Sequence, residues 1–190
     1  TIREIHHRVK NNLQTVSALL RLQSRRSSEE AVKVALAEAE RRVQAIATVH
    51  AALSQNVDES VDFDEVARTI VRMAGAIAST DHAVEVITTG SFGTIQADQA
   101  QALATVLNEL VANSVEHGLA DRDGLIEVRA EREGTSMTVT VADDGVGFVP
   151  GTPMSGLGTQ IVHQMVRGEL KGSIEWAPRE GGGTLVTLHA

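Results

Sequence analysis

The first 55 residues contain neither glycine nor proline, and this constrains the fold more than any other feature of the chain. Apolar residues recur there at heptad spacing, which is typical of a helix that packs against other helices. The a and d positions of the first helix, and the e positions that widen its stripe, hold Ile2, Ile5, Val9, Asn12, Val16, Leu19, Leu13 and Leu20. The pattern predicts a long helix with one broad apolar side.

A polar run at residues 24–28 interrupts this pattern and predicts a turn. Ser27 is followed three residues later by Glu30, which predicts a capping box at the start of a second helix. The apolar face of that helix holds Val32, Leu36, Ala39, Val43, Ile46, Val49 and Leu53. Because two antiparallel helices cannot bury stripes this wide alone, we expect a homodimer in which two hairpins form a four-helix bundle.

The rest of the chain predicts a second, mixed domain. We expect a helical hairpin over residues 1–55, a linker over residues 56–61 and a domain over residues 62–190. In that domain helical and strand patterns alternate, with helices at residues 62–79, 98–116 (capped by Asp98) and 158–166, and strands at residues 83–88, 125–130, 136–142, 173–176 and 184–189. This order predicts an α+β fold in which helices cover one face of a mixed sheet.

Composition excludes several classes of function. A net charge of −8 and 2% aromatic residues argue against a nucleic-acid surface. The chain lacks cysteine, which excludes disulfides and thiolate chemistry. It also lacks an apolar run long enough to span a bilayer, so we expect no membrane contact from this part of the protein and a cytoplasmic location. It begins at Thr1 within a helical pattern, which suggests a piece of a longer protein.

The first segment with chemical potential is residues 4–12, which contain two adjacent histidines. On the heptad, His7 falls at the solvent-facing f position and His6 at e, beside the packed stripe. An exposed neutral imidazole can attack a phosphate, and Arg8 and Lys10 supply cations nearby. Glu4 lies one turn before His7, where it can orient the ring or take its proton. Spacing alone leaves open the alternative of an ordinary solvated histidine.

The second segment is residues 108–114, inside a predicted helix. Glu109 and Asn113 are four residues apart and project from one face. An amide oxygen suits Mg²⁺, which bridges phosphate oxygens in nucleotide sites. A plain polar helix face is the alternative.

Two glycine-containing segments follow. Asp143 ends a strand and precedes Gly145 and Gly147, so its carboxylate can accept an amino group while the backbone approaches a ligand. Gly156 and Gly158 flank Leu157 at the start of a helix, where free N–H groups bind phosphate. Each segment is also compatible with a simple turn, and no Lys-Ser/Thr pair follows to make a Walker loop.

Together and in this order, the segments resemble a histidine kinase of the HisKA_2 group, which is related to the HWE kinases. Residues 6–12 resemble the phosphoacceptor box, and residues 108–114, 143–147 and 155–158 resemble the N, G1 and G2 boxes. Gly183 and Thr184 resemble the terminal Gly-Thr of the GHKL (Bergerat) ATP-binding fold. The resemblance covers nearly the whole chain.

The resemblance implies a GHKL α/β-sandwich domain that binds ATP and Mg²⁺. It implies that His7 is the phosphoacceptor, that Asn113 is the Mg²⁺ ligand, and that Asp143 and Thr184 bind adenine. Its remaining nucleotide-binding positions are Gly145, Gly147, Gly156, Leu157 and Gly158. Residues 148–154 would form a lid. The implied partner is the receiver domain of a response regulator, which takes the phosphate on an aspartate, with no direct contact to nucleic acid.

Two positions depart from the common histidine kinase pattern. Arg8 follows the acceptor histidine where an acidic residue is usual, which makes Glu4 the candidate base. Glu109 stands where many of these kinases have asparagine, so it can contribute to catalysis or to ATP hydrolysis. The alternative functions are a GHKL ATPase or serine kinase without histidine phosphorylation and, less compatible with the motifs, a non-catalytic scaffold.

Overall fold

The computed structural model describes residues 1–78, 82–151 and 156–190. Its first part is an antiparallel hairpin of α1 (Ile2–Arg26) and α2 (Glu30–Leu53). Helix α1 begins at Thr1, whose hydroxyl accepts the backbone N–H of Glu4 at 3.2 Å. The glycine-free segment therefore folds as its heptads predicted.

The predicted capping box at Ser27 is wrong. Ser27 ends α1, and its N–H donates back to the carbonyl of Gln23. Residue Glu29 occupies the N-cap of α2 without a side-chain hydrogen bond, and the hydroxyl of Ser27 accepts the N–H of Glu29. The connection is so short that Ser27 belongs to the end of the first helix.

The second part contains three helices and seven short strands within the described residues. Its elements are β1 (Ser60–Asp62), α3 (Phe63–Ala78), β2 (Val84–Gly90), β3 (Thr94–Gln96), α4 (Ala97–Asn113) with a π-helical turn (Ser114–Gly118), β4 (Gly124–Glu133), β5 (Ser136–Asp143), α5 (Leu157–Gly168), β6 (Ser173–Pro178) and β7 (Thr184–His189).

Five strands form one mixed sheet in the order β2-β4-β5-β7-β6. Strands β2 and β4 run parallel, and the other neighbours are antiparallel. Helices α3, α4 and α5 pack together against this sheet around a core that includes Phe63, Leu107 and Ile126. The predicted α+β fold, a helical hairpin followed by an α/β sandwich, is confirmed.

Two local predictions in this domain need correction. Asp98 does not cap α4, because the helix begins one residue earlier after Gln96 and Asp98 lies in its first turn. There the Asp98 carboxylate accepts a hydrogen bond from the N–H of Gln99. Its negative charge also interacts favourably with the positive end of the helix dipole. The sequence reading also missed β1 and β3, which pair over three residues each and are too short to show alternation.

The hairpin lies against the domain through α2, which packs on α3 and α4. Val49 and Leu53 of α2 join the domain core. By contrast, the a and d positions of α1 face away from α2, and Ile5 and Leu19 are 59% and 58% exposed. No helix in the described ranges is both long and apolar enough to cross a membrane.

Candidate functional site

A cavity of about 350 Å³ opens between the sheet, α4, α5 and helix α2 of the hairpin. It brings together most of the nucleotide-binding positions expected from the sequence. The expected residues that line the cavity are Glu109, Asn113, Asp143, Gly147, Gly156, Leu157, Gly158 and Thr184. Of the other expected residues, Gly145 packs against Gly118 and does not line the cavity. His7 and Glu4 lie elsewhere, on the hairpin.

Asp143 is a buried carboxylate in the wall of the cavity. It is the last residue of β5 and is only 2% exposed. Its Oδ1 accepts the N–H of Gly145 at 3.0 Å and the N–H of Thr184 at 3.3 Å. Both hydrogen bonds from the described residues go to Oδ1, which leaves Oδ2 to accept an amino group from a ligand.

Two glycines let the backbone close around this carboxylate. A Cβ on Gly145 would overlap the carbonyl oxygen of Gly118 in the π-helical turn. Gly183 has a φ of +98°, and a Cβ there would overlap the carbonyl oxygen of Asp143. Only glycine fits either position, so the turn after β5 and the start of β7 hold Asp143 from both sides.

The start of α5 forms another part of the cavity wall. Gly158 lies in its first turn, and a Cβ there would be 3.1 Å from Glu109 Oε1 and 3.6 Å from Asn113 Oδ1. Two side-chain oxygens of α4 therefore lie close to the start of α5, whose first N–H groups have no partner within the helix. Such N–H groups, with the positive end of the helix dipole, attract phosphate.

Residues 152–155, which include Ser155 of the predicted G2 segment and the last three residues of the expected lid, lie outside the described residues.

Glu109 is held by two arginines of the hairpin. Its side chain is 1% exposed, and its Oε2 accepts Nη1 of Arg41 at 3.0 Å. Its Oε1 accepts Nε and Nη2 of Arg42 at 2.9 and 2.7 Å. In this arrangement the carboxylate is engaged in ion pairs and is not free to activate water.

Sequence reasoning missed Arg41 and Arg42, although they are the one adjacent cation pair inside α2. Arg41 also donates to the carbonyl of Asn108 at 3.1 Å, so it contacts the same turn of α4 twice. Its side chain is 5% exposed and that of Arg42 is 19% exposed. The hairpin therefore supplies part of the cavity wall.

Further acidic residues add to the charge of the cavity. Glu38 of α2 and Glu116 of the π-helical turn both line it. Burial raises the pKa of the Glu116 carboxyl, with Arg41 opposing the shift and the neighbouring carboxylates Glu38 and Glu109 adding to it. Crowded carboxylates at one end of a cavity favour a bound cation or protonation.

His7 is exposed on α1, as its heptad position predicted. Its Nδ1 lies 3.3 Å from the amide nitrogen of Asn11. Glu4, the expected base, is instead bonded to Arg8 at 2.8 Å. The structure thus brings Asn11, for which the sequence predicted no role, into contact with the imidazole of His7.

His6 belongs to a different cluster at the base of the hairpin. It is 9% exposed, with Nδ1 2.9 Å from Nδ1 of His50 and Nε2 2.7 Å from Glu59. If Nε2–H of His6 donates to Glu59, Nδ1 of a neutral His6 accepts the proton of His50. Burial and the nearby His6 lower the pKa of His50, so the ring tends to stay neutral. The two adjacent histidines therefore have different surroundings.

The cavity does not face His7 of the same chain. It meets α2 at Arg41, and the neighbouring Glu40 and Gln44 bond to Ser17 of α1. His7 is ten residues from Ser17, or about 15 Å along the helix. The domain is thus docked two to three turns away from the exposed histidine.

Known families match both parts of the chain. Residues 4–77 match the family described as histidine kinase, and residues 98–190 match the histidine kinase-, DNA gyrase B- and HSP90-like ATPases. The chain is 46% identical to the sensor histidine kinase PdtaS of Mycolicibacterium smegmatis and to that of Mycobacterium tuberculosis, over all of this chain and 39% of those proteins. It therefore spans well under half the length of these relatives.

Solved structures agree on the fold. The histidine kinase domain of a blue-light-activated histidine kinase from Erythrobacter litoralis superposes with a TM-score of 0.69 at 24% identity, over 99% of this chain and 91% of that one. The two family matches, which join a histidine kinase helical region to an ATPase domain, and the PdtaS similarity lead to one conclusion: the chain belongs to the histidine kinases.

Proposed function

We propose that this chain is a catalytic core that transfers the terminal phosphate of ATP to His7. The phosphate then passes to an aspartate in the receiver domain of a response regulator. The observation that carries this proposal is that one helix, α2, both pairs with the helix bearing an exposed histidine and forms a wall of the ATPase cavity. ATP-dependent chemistry of this kind fits a cytoplasmic location.

The nucleotide would lie along the cavity from Asp143 to the start of α5. Oδ2 of Asp143 would accept the adenine amino group, beside Thr184. The phosphates would meet the N–H groups of Leu157 and Gly158, since a helix start favours anions. Gly145, Gly147 and Gly156 allow the backbone to follow the ligand closely.

Asn113 is the side chain best placed to hold Mg²⁺. Its amide oxygen faces the expected phosphate end, where Glu109 also lies. No group of three or more histidine or carboxylate side chains in the described residues is arranged to hold a metal alone. Mg²⁺ held by Asn113 would neutralise phosphate charge.

His7 would act as the nucleophile through Nε2. The amide of Asn11, turned so that its oxygen accepts Nδ1–H, would leave the lone pair on Nε2. As the Nε2–P bond forms, the bond between the γ-phosphorus and the bridging oxygen breaks, and ADP leaves with that electron pair. The proton on Nδ1 then passes to solvent. Glu4 is a further candidate to receive it, once released from Arg8.

This reaction requires the domain to leave its present position. The cavity meets α2 opposite Ser17, about 15 Å along α1 from His7. We infer that the described arrangement precedes or follows transfer, and that movement about the connection near Asn56 brings ATP to the histidine of the same or a second chain.

A second copy would complete the helical bundle. Seven large apolar side chains of the hairpin are more than a third exposed: Ile2, Ile5, Val16, Leu19, Leu22, Val32 and Val34. Pairing of two hairpins buries such a stripe. In solution we expect a dimer by light scattering that Ile5→Glu combined with Leu19→Glu converts to monomer, whereas Gln14→Glu on the solvent side leaves it unchanged.

The function is tested with γ-labelled ATP and Mg²⁺. We expect label that survives alkali and is lost in acid, that disappears in His7→Ala and Asn113→Ala, and that persists in His6→Ala. Label in His7→Ala would show that another residue is the acceptor. Phosphate release without any labelled protein would indicate an ATPase instead.

A further inference from the structure

The cavity is lined by more carboxylates than guanidinium groups, although it would bind a negatively charged polyphosphate. Its lining includes the carboxylates of Glu38, Glu109, Glu116 and Asp143, and its two guanidinium groups are Arg41 and Arg42. A triphosphate with one Mg²⁺ still carries negative charge, so it needs a cation from the protein. Among the described lining residues, both permanent cations come from the hairpin.

The two arginines are not equivalent. Arg41 is nearly buried and is fixed by Asn108 and by Oε2 of Glu109. Arg42 is more exposed, and among the residues that the structure describes its hydrogen bonds go only to Oε1 of Glu109, with Glu38 3.9 Å away. Arg42 is therefore the arginine whose guanidinium can change partner without losing a backbone contact.

Oε1 of Glu109 also lies close to the start of α5. A Cβ on Gly158 would be 3.1 Å from it and 3.6 Å from Asn113 Oδ1. Arg42 therefore ends beside the helix start and the amide oxygen expected to hold phosphate and Mg²⁺. Because Arg42, Asn113 and Gly158 all line the cavity, rotation of the Arg42 side chain can bring its guanidinium to a phosphate bound there.

Losing Arg42 would not leave Glu109 as an unpaired buried charge. One guanidinium is enough to neutralise one carboxylate, and Arg41 remains on Oε2. The exchange therefore avoids the large cost of an uncompensated buried ion. It also replaces one charge-assisted bidentate contact with another, because guanidinium geometry matches carboxylate and phosphate alike.

We propose that Arg42 is a ligand of the terminal phosphate of ATP, supplied by the helical hairpin, and that it exchanges Glu109 for this phosphate when ATP binds. ADP lacks the terminal phosphate and leaves Arg42 on Glu109. This inference rests on the proposed function, in which the cavity binds ATP. Under this proposal, helix α2 is the element that distinguishes ATP from ADP.

The test compares the affinities of ADP and the β,γ-imido analogue of ATP, each with Mg²⁺, by calorimetry on the whole chain. Arg42→Ala should weaken the ATP analogue by about tenfold to a hundredfold and ADP by less than about twofold. Arg42→Lys should restore part of the difference because it keeps the charge. Glu109→Gln should strengthen the ATP analogue relative to ADP, since it removes the competing carboxylate.

Arg21→Ala is the matched control, because Arg21 pairs with Glu40 within the hairpin at 2.6 Å and lies outside the cavity lining. It should change neither affinity. Equal weakening of both nucleotides by Arg42→Ala would show a structural role, and no change would show that Arg42 stays on Glu109. Either outcome overturns the inference while leaving the function intact. Failure of the parent chain to bind either nucleotide would overturn both.

Discussion

The hairpin and the ATPase domain place their hydrophobic and polar residues in opposite ways. In the domain, large apolar side chains such as Phe63 and Leu107 are fully buried. In the hairpin, Ile5 and Leu19 are mostly exposed, whereas the polar residues His6 and Arg41 are buried. The domain thus buries its own core, to which α2 adds Val49 and Leu53, whereas α1 leaves most of its apolar stripe exposed in the single chain.

The interior of the domain and the contact between the domain and the hairpin are therefore stabilised by different kinds of interaction. The domain is stabilised by apolar burial, which is non-directional and tolerates small shifts. The docked position of the hairpin depends in part on directional contacts, chiefly those of Glu109 with Arg41 and Arg42. Directional contacts are lost together when a helix moves, which suits the domain movement proposed for phosphate transfer.

The largest expected effect comes from removing the carboxylate between the two parts. Glu109→Ala leaves Arg41 buried without its partner, and such a change costs about 3–5 kcal/mol of unfolding free energy. Glu38→Ala is the control, since its 3.9 Å contact with Arg42 is partly exposed and should contribute less than about 1 kcal/mol. Urea denaturation measures both. Similar losses in the two variants would show that the joint does not depend on Glu109.

A second prediction compares leucines of the two regions. Leu107→Ala should cost about 2–5 kcal/mol in unfolding free energy because it leaves a cavity in the core. Leu19→Ala should change the monomer by less than about 0.5 kcal/mol. Its effect should appear instead as weaker dimerisation, measured by sedimentation. Equal losses in dilute protein would mean that Leu19 is already buried within one chain.

A third prediction concerns backbone closure around Asp143. Gly183→Ala adds a Cβ against the carbonyl of Asp143 at a φ of +98°, and such strain costs about 1–3 kcal/mol. It should also weaken both ATP and ADP, because the adenine end is displaced. Gly182→Ala has a similar φ of +113° but open space around the Cβ. Equal nucleotide binding by the two variants would argue against adenine at Asp143.

The smallest effect is a dependence of stability on pH at the base of the hairpin. The pKa of His50 is lowered by burial and by His6, so protonation favours the unfolded chain. The stabilisation is present above the ordinary pKa of about 6.5 and is lost as the pH falls through the folded value. Thermal unfolding between pH 7.5 and 5 should show this loss, and His50→Gln should reduce it. His189→Gln, at an exposed site, should behave like the parent.

Much of this molecule was predictable from its sequence because the signals are periodic or local. The heptads predicted the helical hairpin and the exposure of His7. Alternating residues bounded by turn glycines predicted the strands around Asp143. The contact of Arg42 with Glu109 was not predictable, because it joins residues 67 apart through a docking angle that periodicity does not encode. The partner of His6, Glu59, lies in an expected linker for the same reason.

The neighbouring positions of Arg41 and Arg42 have a geometric consequence. Successive residues of an α-helix point about 100° apart, yet both side chains reach opposite oxygens of one carboxylate. Turning α2 about its own axis in either direction must bring one guanidinium closer and draw the other away. The distances from Arg41 and from Arg42 to Glu109 therefore change in opposite directions, and which of the two grows depends on whether the helix turns clockwise or anticlockwise.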